Sequence, residues 1–142
     1  MSAMALVSIT RLRLRSWRFL PMFAWYVLRS SREAGRAEGN LDVKLLREPL
    51  NTFWTSTLWE SEAAMKTFML AGAHGKAMRK LAHWCDEAAV VHWTQDSREL
   101  PTWSEAHRRL QDDGRRSKIN HPSAAHQSYQ IPEPQEGGRL KV

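Results

Sequence analysis

In the stretch ALVSITRLRLR, residues 5–15, side chains alternate with a period of two, most plainly in RLRLR. Successive residues of an extended chain point to opposite sides. Arg11, Arg13 and Arg15 therefore share one face, and Leu12 and Leu14 share the other. The segment reads as a strand with one oily side. An oily side must be covered by a second layer, so a chain that begins this way builds a sheet with other elements packed on it.

The next residues supply that layer. In SWRFLPMFAWYVLRSSREAGRAEGN, Pro21 suits the first turn of a helix. Leu20, Phe23, Ala24, Val27, Ser31 and Ala34 recur at spacings of three and four and form an inward stripe, while Arg29, Arg32 and Arg36 lie off it. EGN at 38–40 ends the element, with Gly39 at the turn. A short strand follows at 41–47. EPLN turns the chain, and TFWTSTLW at 52–59 is a β-prone run of threonine and aromatics, so the two strands predict an antiparallel hairpin. Ser61 caps a second helix opening with EAAMKTFML, which Gly72 interrupts. The helical pattern resumes at His74 and runs to Trp84. EAAVVHWT at 87–94 is another strand. Thr102 and Glu105 match a capping box for a terminal helix ended near Gly114. From 115 onward the chain has no apolar period, and a flexible tail is expected. The order is β-α-β-β-α-β plus a helix: an α+β, ferredoxin-like split βαβ domain with an antiparallel sheet over residues 1–114, and a tail over 115–142.

The length of 142 residues fits one domain, and its seven tryptophans predict a thick aromatic core or a cavity with aromatic walls. The net charge of +6 invites a nucleic-acid reading. The basic residues are spread along the chain without a nucleic-acid motif, which disfavours that reading. A single cysteine, Cys85, excludes an internal disulfide and suits a reducing cytoplasm. The basic residues of the opening follow its apolar ones, the reverse of a secretory signal, and no run reaches membrane-spanning length. A cytoplasmic protein with no membrane partner is expected.

Two histidines lie in GAHGKAMRKLAHW, residues 72–84. On a helix resuming at 74, His74, Met78, Leu81 and Cys85 share the inward face, while Lys76, Arg79, Lys80 and His83 mark the wetter side. An inward imidazole is either satisfied structurally or serves as an acid–base group or ligand. Cys85 lies on the inward stripe beside Asp86 and Glu87, which argues against a reactive thiolate. His121 and His126 lack a second pair at metal-ligand spacing, so no metal site is expected. No phosphate-binding glycine loop, nucleophile elbow or zinc-protease motif occurs.

Residues 53–93, FWTSTLWESEAAMKTFMLAGAHGKAMRKLAHWCDEAAVVHW, resemble the spheroidene monooxygenase-like branch of the dimeric α/β-barrel proteins, near the antibiotic biosynthesis monooxygenase-like bacterial proteins. The likeness rests on the aromatic strand ending LWE, the FM helix, a small-residue break before His74 and a tryptophan closing the helix. With TRLRLRSW it extends over residues 5–112. The resemblance implies a homodimer whose two sheets pack face to face into a barrel. It also implies a small-molecule cavity, a functional His74, and chemistry that is either haem-dependent or cofactor-free.

Further candidates follow from the residues. Arg11, Arg13 and Arg15 offer guanidinium groups to a carboxylate ligand, or else join a salt-bridge network. Trp54 and Trp59 are an odd number of positions apart, so one faces the helices and the other the barrel interior or dimer contact. His92, with the parity of Ala88 and Val90, is a second candidate for the cavity. The favoured function is a monooxygenase-like protein acting on a small hydrophobic or aromatic molecule, with His74 catalytic. The alternative is a non-catalytic small-ligand-binding or dimerisation module.

Overall fold

A computed structural model describes residues 4–70 and 79–134 and the backbone of 139–140. The element order begins β1 (Ala5–Leu14), a 3-10 turn (Trp17–Phe19), α1 (Leu20–Arg36), β2 (Asn40–Glu48), β3 (Thr52–Trp59) and α2 (Glu62–Met69). A helical stretch over 79–84, termed α3, leads directly into β4 (Cys85–Gln95). Then come α4 (Trp103–Asp113), β5 (Arg115–Arg116), α5 (Ala124–Ser128) and β6 (Arg139–Leu140).

The local chemistry expected from the sequence sets the boundaries. Pro21 lies in the first turn of α1. The Ser61 hydroxyl accepts from the Ala64 N–H at 3.1 Å, and the Thr102 hydroxyl from the Glu105 N–H at 3.2 Å, so both helix starts are capped. Gly39 turns with φ +87°, and a Cβ there would come within 2.5 Å of the Ala64 Cβ. Only glycine fits that turn.

The strands run antiparallel in the order β5-β4-β1-β3-β2-β6. The inner four make two interlocked split βαβ units, the ferredoxin-like arrangement. Register fixes the faces: Leu12 lies opposite Phe53 and Ala88, and Arg11 opposite Trp54 and Ala89. On the first face, Leu14 and Phe53 pack with Phe23 of α1, and Leu6 and Trp59 pack with Ala34 and Met65.

The second face carries Ala5, Val7, Ile9, Trp54, Leu58 and Val91. It was expected to await the sheet of a second subunit. Instead, Trp103, Ala106 and Leu110 of α4, together with Ile131, cover it within the same chain. The amphipathic pattern of α4 exists for this purpose.

The expectation of a flexible tail from 115 does not describe residues 115–131. β5 pairs with Ala89 and Val90, and the Ser117 and Ser123 N–H groups donate to the Ala88 and Asp86 carbonyls, each at 2.9 Å. The Tyr129 hydroxyl donates to the Leu110 carbonyl at 2.5 Å. The missing apolar period misled because this segment is held by backbone pairing and by isolated anchors such as Ile131, not by an amphipathic stripe. It also covers the edge of β4, which would otherwise offer unpaired backbone groups.

Candidate functional site

α1, α2 and α3 do not close completely on the sheet. Between them lies a cavity of about 110 Å³. Its floor is the inward row of three strands, including Ser8, Thr10, Thr55 and Thr57, and Trp59 closes one end. Phe23, Tyr26, Val27 and Ser31 of α1 form one wall, while Met65, Phe68 and Leu81 form others. Most of the lining is apolar, with several hydroxyls at fixed positions, the usual composition of a small-molecule site.

Trp59 is only 1 % exposed, and its indole Nε1–H finds no acceptor among the described residues. A buried donor without a partner carries a desolvation cost of about 1–3 kcal/mol. The Thr57 hydroxyl is spoken for at long range, donating to the Ser8 carbonyl at 3.5 Å. The Tyr26 hydroxyl accepts from Lys80 Nζ at 3.0 Å at the outer end of the wall. Among the described lining residues, Tyr26 alone has an ionisable side chain.

The sequence-derived candidates distribute as follows. Trp59 lines the cavity. Trp54, on the opposite face as its parity demanded, is fully buried beneath α4, edge-to-face with Trp103, and its indole N–H donates to Glu48. It therefore belongs to the core. His92 lies opposite Ser8 on the helix side of the sheet, but it is exposed and does not reach the cavity. His74 lies outside the described residues. His83 is exposed, as expected.

The three arginines are engaged by protein partners, so they do not form an open anion site. Arg11 donates to Glu87 Oε1 at 2.7 Å in a pair whose side chains are 7 % and 5 % exposed. Arg13 reaches Glu87 at 3.1 Å and Asp86 at 3.4 Å. Arg15 donates to the His83 carbonyl at 2.6 Å. Burial works to raise the Glu87 carboxyl, but hydrogen bonds from Arg11 and Ser123 and the neighbouring positive charge hold it below its usual value. Burial raises the Asp86 carboxyl; the Arg13 charge opposes this, the neighbouring Glu87 charge adds to it, and Asp86 stays above its usual value. Burial pushes the Cys85 thiol up to about 12, so it is no nucleophile.

The cavity does not fit haem. Its volume is below the roughly 300 Å³ at which pockets for drug-sized ligands begin. Arg11 and Arg13 point to the other side of the sheet, and Arg15, beyond the end of β1, is held by the His83 carbonyl and does not line the cavity. The site candidates did not include Ser31, placed only in the inward stripe of α1, or the Ser8, Thr10, Thr55, Thr57 row. The signal was present: Thr55 and Thr57 share parity with Phe53 and Trp59, placing hydroxyls on the side that faces the helices.

Fold and cavity together define a class: a ferredoxin-like α+β protein with a small apolar chamber beneath its helices. Solved structures share that fold. A candidate antibiotic biosynthesis monooxygenase from Nitrosomonas europaea is 13 % identical, with TM-score 0.58 over 67 % of this chain and 92 % of that one. Another, from Bacteroides thetaiotaomicron, is 16 % identical, with TM-score 0.58 over 69 % and 95 %. A conserved protein from Methanosarcina mazei is 14 % identical, with TM-score 0.57 over 65 % and 93 %. No curated protein matches the chain. The chain belongs to the DUF3291 family, a domain of unknown function, whose model matches residues 22–125.

Proposed function

We propose that this chain binds a small, largely apolar molecule bearing one hydrogen-bond acceptor in the cavity between the sheet and α1, and acts on it as a monooxygenase-like protein. The observation that carries the reading is the Trp59 indole N–H, without an acceptor among the described residues, at the wall of an apolar chamber. A carbonyl or phenol oxygen would satisfy it. The fold shared with candidate monooxygenases supports the general kind of activity. A cofactor-free reaction balances only for a substrate that provides all four electrons that O2 takes up: a CH2 becomes C=O, with one atom of O2 retained and the other leaving as water with the two hydrogens. His74 is the proposed acid–base group. Its flanking segments supply Met69 and Leu81 to the cavity lining.

Ligand binding is read by calorimetry with acetophenone and with ethylbenzene, a pair differing in the acceptor oxygen. The expected result is tighter binding of acetophenone, reduced roughly three- to tenfold by Trp59→Phe, with ethylbenzene unaffected. Equal binding of the two by the wild type would remove the acceptor role.

A non-catalytic binding module is the second reading, favoured by the scarcity of ionisable groups among the described lining residues. Aerobic incubation separates the two. Product from the wild type and none from a ligand-competent His74→Ala variant supports catalysis, whereas binding without product from the wild type supports the module.

A further inference from the structure

α1 has two unlike sides. Phe23, Val27, Ser31 and Ala34 face the sheet and cavity. The outward side repeats at the same helical spacing, with Met22, Trp25, Arg29, Arg32 and Arg36 all exposed, and Arg18 of the preceding 3-10 turn is exposed as well. Trp17 is 75 % exposed, and Met22, Trp25 and Leu28 are 51 %, 50 % and 51 % exposed. Most of the large apolar side chains that the described residues leave in water are thus gathered between positions 17 and 28. Around them stand four arginines, and the only carboxylate of α1, Glu33, is paired with Arg29 at 3.5 Å. The Arg29 guanidinium also lies 5.2 Å from the Trp25 ring centre.

We propose that this face of α1 seats the protein on an anionic lipid bilayer, with Trp17, Met22, Trp25 and Leu28 entering the headgroup boundary and the arginines meeting lipid phosphates and carboxylates. The alternation of apolar and basic groups selects this occupant. Tryptophan favours the interface between oil and water, and arginines near an anionic surface add to apolar burial. A second copy of the chain would set arginines against arginines. A nucleic acid would use the charges but leave the methionine, leucine and tryptophans without an apolar environment. Among the described residues, no helix is long and apolar enough to cross a membrane, so the contact is one of seating on the surface. The inward stripe of α1, legible from its spacing, leaves Met22 and Trp25 on the far side with Arg29, Arg32 and Arg36, and the structure shows both to be exposed.

The test is flotation of the full chain with vesicles of phosphatidylcholine alone or mixed with phosphatidylserine. The expected result is flotation only with the mixed vesicles, weakened by salt. Each arginine near an anionic surface contributes roughly fivefold, so Arg29→Gln with Arg32→Gln lowers partitioning about 25-fold. Arg98→Gln with Arg115→Gln, equal in charge but outside α1, changes it little. Trp25→Ser weakens binding even at low salt, with an unchanged melting curve establishing that the fold is intact. The proposal is overturned by failure of the wild type to float with mixed vesicles at low salt, or by equal losses from both arginine pairs. It is also overturned if Trp25→Ser converts a sedimenting dimer to monomer without altering flotation, or if short duplex or single-stranded DNA binds through Arg29 and Arg32 while vesicles do not.

Discussion

Arg11 and Glu87 form a charged pair closed off from water, with the Arg11 Nε buried and without an acceptor among the described residues. Removing one member strands the other. Glu87→Gln should therefore destabilise the fold by about 3 kcal/mol, whereas Arg11→Met combined with Glu87→Leu should cost far less than the sum of the single changes. A double-mutant cycle by urea denaturation measures this, and additive losses would contradict it. The arginine alternation was legible from RLRLR alone. Its partners were not, since a carboxylate 76 positions away in a run of two acids reads equally well as a solvated surface. Trp54 and Trp59 were correctly assigned to opposite faces by parity, but parity cannot say which face holds a chamber.

At the scale of elements, the segment from β5 through α5 holds the edge of β4 by backbone pairing and by the His126 ring. His126 Nδ1 accepts from the Ala88 N–H at 3.3 Å. Burial, then the charge of Arg116, lowers its basicity below the usual 6.5, although Glu87 and Asp86 pull the other way. Protonating Nδ1 removes the acceptor. Because the unfolded chain binds this proton more readily than the folded one, stability from His126 is complete above pH 6.5 and declines as pH falls below it. Glu87, also lowered, adds a second decline below its ordinary value of 4.5. Hydrogen exchange of residues 115–131 should accelerate first as the pH is lowered, and His126→Gln should flatten that first phase. Helix starts were readable because Ser61, Thr102 and Pro21 have local signatures. The edge cover was not, because backbone pairing leaves no mark on composition.

For the whole molecule, the issue is what closes the second face of the sheet. α4 and Ile131 close it within one chain, so a second copy approaching from this side would meet α4 before the sheet face that the resemblance implied. Leu110 is fully buried there. Leu110→Ala should lower stability by about 3 kcal/mol, measured by urea denaturation, with the sedimenting state unchanged from wild type. A Leu110→Ala change that converts a sedimenting dimer to monomer would mean the face is shared between subunits.

The two outer strands come late in the chain. β5 lies beyond residue 114 and β6 at residues 139–140, yet they flank the sheet at opposite ends. During synthesis, the central four-stranded platform therefore emerges from the ribosome with both margins bare. It stays vulnerable to sticking to its neighbours until these later stretches are released and zipped on.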